Sequence, residues 1–162
     1  MQSIVPKLRD SHREAVYEAE RRLEGMLSTA EDTGNPVVEL DGITLTLPPQ
    51  ARFGSIDSIQ SYADRVCDMA GVSRVTVRKR KGIRKATYSP SNQTLNIPDA
   101  AWARKEMVVL HELAHHVAGG EHLHTTPFLV AMNDLLGMVM GLEMSLAHRV
   151  LCSHNGLSLA LA

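Results

Sequence analysis

The sequence predicts an α+β fold in which a small antiparallel or mixed sheet packs on one central helix, with further helices at both ends. Apolar residues recur at helical spacing in four long stretches, while alternation of period two is confined to short segments between them. Aliphatic residues and methionine dominate the 44% apolar share and aromatics are only 4%, a balance suited to helices on a small sheet rather than a β-sandwich. At 162 residues the chain fits one domain, 1–162, with a core large enough to need no disulfide or metal staple. Any bound metal is therefore expected to be functional.

The elements follow in order. From about 10 to 30, Val16, Ala19, Leu23, Met26, Leu27 and Ala30 share one stripe, predicting an amphipathic helix capped by Asp10 or Ser11. The stretch GNPVVELDGITLTLPP alternates on either side of Asp41-Gly42, which accepts the positive φ angles of a tight hairpin. Ser55 to Ala70 places Ile56, Ile59, Tyr62, Ala63, Val66 and Met69 on one face of a second helix ended by Gly71. Three β-prone pieces, Arg74 to Lys79, Lys85 to Tyr88 and Thr94 to Ile97, predict a meander, so that 37–98 holds the sheet and one helix. Ala101 to Gly119 reads as a helix with Trp102, Val108, Val109 and Leu113 among its apolar members. Pro127 suits the first turn of the next, methionine-rich helical stretch, with breaks at Gly137 and Gly141, and the catalytic and C-terminal helices span 100–151. The tail from Ser153 is expected to be loose.

Cys67 and Cys152 are too few for a disulfide framework or a four-cysteine zinc site, which points to a reducing cytoplasm. The opening MQSIVPKLRDSHREAVYEAE has no apolar run beside a basic cluster, so no signal peptide is expected, and Phe128 to Leu142 is too short and too interrupted to span a bilayer. Net charge is −1, yet Gly71 to Pro98 holds seven basic residues and no acidic one, a segment able to face a polyanion.

The stretch HELAHHVAGGEHLHTTPF, His111 to Phe128, carries the chemistry: five of the eight histidines fall within it. On a helix, His111 and His115 project from one face a turn apart and can grip one cation. With Glu112 they form HExxH, in which the histidines bind zinc and the glutamate takes a proton from a metal-bound water. A helix so apolar around buried histidines and a buried carboxylate needs partners for them, and a cation satisfies all at once. The third ligand has several candidates. His124 follows Gly119-Gly120, which lets the chain turn back; His122 is nearer in sequence; a thermolysin-like site would use Asp134 or Glu143. A metzincin pattern is excluded because Glu121 and Ala118 stand where it requires histidine and glycine. His116 points about 100° away from the pair and is expected to make an ordinary hydrogen bond. His12 and His154 take structural or solvated roles, as does His148 unless it approaches the site from the last helix. Tyr88 is the one residue suggested as an oxyanion stabiliser.

HTTPF, His124 to Phe128, resembles the H-[GS]-x-x-F segment that supplies the third zinc histidine in SprT-like zinc peptidases, and the likeness extends over Thr94 to Leu136. The opening RDSHREAVYEAE together with LNIPDAAWARKEMVVLHELAHH is similar to a family of small actinobacterial metallohydrolases named for its motif. The resemblance implies a zincin-like, zinc-dependent hydrolase, a peptidase in the first instance, with His111, His115 and His124 as metal ligands and Glu112 as general base. The connection between His115 and His124 is only eight residues, and the DNA-binding appendages of some SprT-like members have no counterpart here.

The expected partner is a peptide or protein lying along an edge strand near Thr94 to Ile97. The alternative is a nucleic-acid-binding module that uses the basic segment 74–85 beside a structural metal, although no aromatic cluster accompanies those charges. A peptidase held latent until a partner exposes its site is a third possibility.

Overall fold

The computed structural model of the protein describes residues 10–119 and 123–159. Its elements run α1 (Arg13–Thr33), β1 (Val37–Leu40), β2 (Ile43–Thr46), α2 (Ile56–Ala70), β3 (Thr76–Arg80), β4 (Thr87–Ser89), β5 (Thr94–Pro98), α3 (Glu106–Val117), α4 (Thr126–Val139) and α5 (Leu142–His154), an α+β arrangement. Among the described residues no helix is long and apolar enough to cross a membrane.

In α1 the predicted stripe is the buried one, with Val16, Ala19, Leu23 and Leu27 inside. The cap differs from expectation: His12 occupies the N-cap without a side-chain bond, because the Asp10 carboxylate is engaged elsewhere. The Asp41-Gly42 turn has φ of 52° and 76°, the pair of positive angles that joins β1 to β2 as a tight antiparallel hairpin. Helix α2 starts at Ser55, whose hydroxyl accepts the Ser58 N–H, and stops at Gly71 in the left-handed conformation. Its inner face takes Cys67 and leaves the predicted Met69 exposed.

The three-stranded sheet is mixed and is not a meander: its order is β3-β5-β4, with β3 parallel and β4 antiparallel to β5. The turn 90–93, with Gln93 at φ 49°, folds β4 back on one side of β5. The thirteen residues between β3 and β5 are long enough for a parallel return, which places β3 on the other side. β5 is therefore the central strand, so its edge is closed to a docking peptide and the expectation for Thr94 to Ile97 is overturned. The edges belong to β3 and β4.

Helix α3 begins at Glu106, later than the predicted Ala101. Lys105 is extended and bridges Arg52, the Glu106 N–H donates to the Ala51 carbonyl at 3.0 Å, and the Met107 N–H donates to Gln50 Oε1 at 3.0 Å. Two of the helix's open donors are thus satisfied by a distant segment, which fixes the start where no local cap does. Trp102 consequently stays outside the core, 40% exposed. Pro127 sits in the first turn of α4 as expected, Gly137 lies inside that helix, and Gly141 at φ 109° separates it from α5. A Cβ on Gly137 would come within 3.2 Å of the Ser145 Cβ, so the glycine lets α4 and α5 approach closely. The tail is better anchored than predicted: α5 reaches His154 and Leu157 is buried. The buried apolar residues form one cluster, with α3 inside it between the mixed sheet, α2 and α4.

Candidate metal centre

Helical spacing brings His111 and His115 to the same face of α3, and the extended residues before α4 carry His124 up to them. All three imidazoles are buried, and one nitrogen from each lies within 4.8 Å of the others, close enough to bind a metal ion. The closest approach is 3.1 Å, between the Nε2 atoms of His111 and His124. Phe128, the aromatic of the HTTPF segment, packs against the three rings at centroid distances of 4.9, 4.5 and 4.9 Å. Tyr17 of α1 stacks on His111 at 5.3 Å and meets His124 edge-on at 5.1 Å. Helix α1 therefore forms one wall of a site whose motif lies about ninety residues further along the chain.

The same helix and Asp10, three residues ahead of its start, orient the rings. Glu20 accepts from His111 Nδ1 at 2.8 Å, and Asp10 accepts from both the His124 backbone N–H, at 3.1 Å, and its Nδ1, at 2.7 Å. An ionised carboxylate can only accept, so each Nδ1 carries hydrogen and each Nε2 turns its lone pair inward. Two inward lone pairs 3.1 Å apart repel unless an electrophile, either a proton or a cation, lies between them. The donor set thus fits a metal ion on geometry, and two of its three rings fit on tautomer as well.

Without metal a proton takes that place. Burial pulls the His111 pKa down, but the charge and hydrogen bond of Glu20 outweigh it and raise the value to about 9. His124 is lowered, by burial first, against the pull of Asp10. Glu112, buried and adjacent to His111, is pushed up to about 7, chiefly by burial, with the positive charge of His111 opposing. Such a carboxyl exchanges its proton readily near neutrality. Burial and the charges of Glu112 and Glu20 raise Tyr17 to about 12, so its phenol stays protonated.

A cleft of about 470 Å³ reaches this centre at His111, its lining shared by the buried Glu112, by Tyr17 and Glu20 of α1 and by the exposed Trp102, Arg84 and Lys85. Of the sequence-predicted site residues, His111, His115 and His124 come together, and Glu112 lies beside His111 on the cleft lining. Asp134 is exposed, and Glu143 accepts the Thr46 N–H on another face, so neither serves as the thermolysin-like ligand. His116 makes the expected ordinary bonds, to the Tyr88 hydroxyl and the Ser73 carbonyl, both at 2.7 Å. That bond turns the buried Tyr88 away from the cleft and ends its candidacy as oxyanion stabiliser. His148 lies among Asn133 and Cys152, at 3.1 and 3.4 Å, and His154 pairs with Asp41. His122 and Glu121 lie outside the described residues.

Sequence reasoning missed Glu20, Asp10 and Tyr17. Asp10 looked like a helix cap, and Glu20 looked like one more charge on a solvated helix face. No family model, curated protein or solved structure matches the chain.

Proposed function

We propose that the protein is a zinc-dependent hydrolase that cleaves peptide bonds, built on a zincin-like combination of mixed sheet and active-site helix. One observation carries this: three buried imidazoles converge, and one of them, His111, lines a cleft together with Glu112. A tetrahedral site with bonds of about 2.0–2.1 Å separates its nitrogens by roughly 3.3 Å, near the 3.1 Å between His111 and His124. Zinc suits neutral imidazole ligands, and when bound it lowers the pKa of a coordinated water and polarises a carbonyl oxygen.

The chain's own groups do the rest. Glu20 and Asp10 hold the His111 and His124 rings with their lone pairs facing inward. Glu112, poised near pH 7, accepts a proton from the attacking water and returns it to the departing amine, so that water adds across the C–N bond with no net proton change. Tyr17, also on the cleft lining, supplies a neutral O–H, a donor for the oxygen that gains negative charge. The sheet edge on this side is β4, whose preceding residues Lys85 and Ala86 line the cleft, so an extended substrate has the open edge of a strand beside it.

The test is metal content and peptide hydrolysis in wild type, Glu112→Gln and His124→Ala. Zinc is retained in the first two and weakened in the third, and hydrolysis is lost in both variants. Intact hydrolysis in Glu112→Gln removes the general-base assignment.

A further inference from the structure

The basic segment that the catalytic chemistry does not use runs up to the cleft. Arg84 and Lys85 are exposed on its wall, and among the described residues neither forms an ion pair. Most other charges in the cleft are already matched. Lys105 pairs with Glu24 at 2.9 Å, Arg21 pairs with Glu18, and Glu20 is committed to His111. What remains is Arg84, Lys85 and Arg13, the last lying over the Tyr17 ring at 5.8 Å, against the single carboxyl of Glu112. The charges of Lys85 and Arg80 both reach Glu112.

Part of the cleft lining is apolar. Ala86, Met107, Val108 and Trp102 form it, and the Trp102 Nε1–H donates to the Ile83 carbonyl at 2.9 Å, tying the loop that carries Arg84 and Lys85 to the rim. A space of about 470 Å³ holds one or two side chains of an extended peptide.

We infer that the cleft selects an acidic peptide segment, with an aspartate or glutamate carboxylate against Arg84 and Lys85 and a neighbouring apolar side chain against Met107, Val108 and Trp102. The inference rests on the hydrolase reading only in calling that peptide a substrate, since the charge preference belongs to the walls. Like-charged peptides are excluded by the same cations that hold the acidic one.

Trp102 is the sole tryptophan, so its fluorescence reports occupancy without a label. Three hexapeptides of alanine and leucine, carrying two aspartates, two asparagines or two lysines, are titrated into the zinc-loaded full chain and into Arg84→Gln/Lys85→Gln. Both substituted side chains are exposed, and an unchanged circular-dichroism spectrum and zinc content confirm that the variant folds. The aspartate peptide binds about five- to tenfold more tightly than the asparagine peptide at low salt, an advantage that shrinks at 300 mM salt and disappears in the double variant. Equal binding of the three peptides, or an aspartate preference that survives the double variant, overturns the inference. A single-stranded oligonucleotide that displaces the aspartate peptide and binds more tightly also overturns it, in favour of nucleic acid. Turnover is measured on the same peptides: aspartate-selective binding without cleavage removes the hydrolase reading and keeps the acidic site, whereas cleavage blind to charge does the reverse.

Discussion

The Nε2 atoms of His111 and His124 face each other across 3.1 Å while a carboxylate grips the opposite nitrogen of each ring. This pairing of His111 with Glu20 and of His124 with Asp10 orients two of the three imidazoles that lie close enough to bind a metal ion. The consequences can be measured.

Removing either carboxylate frees a ring to rotate and to change tautomer. Glu20→Gln and Asp10→Asn are expected to weaken zinc roughly 10- to 100-fold without unfolding the protein. Competition against a chelating dye reads the change. Affinity within twofold of wild type would show that the carboxylates do not orient the ligands.

Metal must displace the proton that His111 holds with a pKa of about 9. Between pH 7 and 9 the zinc affinity is expected to rise about tenfold per pH unit and then level off. Titration calorimetry in buffers of different ionisation enthalpy should find about one proton released per zinc at pH 7. The metal-free protein behaves oppositely. A folded pKa above the ordinary 6.5 means that the His111–Glu20 pair stabilises fully below 6.5 and loses that contribution as pH rises through 9. Metal binding independent of pH over this range contradicts the assignment.

Tyr17→Phe keeps the ring that stacks on His111 and deletes only the hydroxyl. Zinc affinity and KM should stay near wild type while kcat falls by roughly 10- to 100-fold, the signature of a hydrogen bond made mainly in the transition state. An equal fall in zinc affinity would instead mark the phenol as structural.

His148, buried against Asn133 and Cys152, has its pKa lowered to about 4, first by burial. The unfolded chain takes up a proton near 6.5 that the fold refuses, so stability is lost as pH falls from 6.5 towards 4. Between pH 7 and 5 this amounts to about 2 kcal/mol. Urea midpoints at the two pH values check it. In His148→Gln the loss across this interval should shrink by that amount, and an unchanged pH slope refutes the account.

What the sequence alone determined is what depends on neighbours a few residues apart. The four-residue spacing of His111 and His115 puts both rings on one helix face, Asp41-Gly42 makes the hairpin turn, and the apolar stripes of α1 and α2 choose their buried sides. Helical and strand periods act locally, so they can be read in a linear pattern. The tertiary structure decided everything that closes a long loop. It set β5 rather than β4 beside β3, started α3 at Glu106 through contacts from residues 50–52, and brought Glu20 and Asp10 to His111 and His124 from 91 and 114 residues away. Those partners look like ordinary surface acids in the chain. Only the packing of α1 and the residues before it against the histidines turns them into partners of buried imidazoles, because a carboxylate's role is set by what it faces once water is excluded.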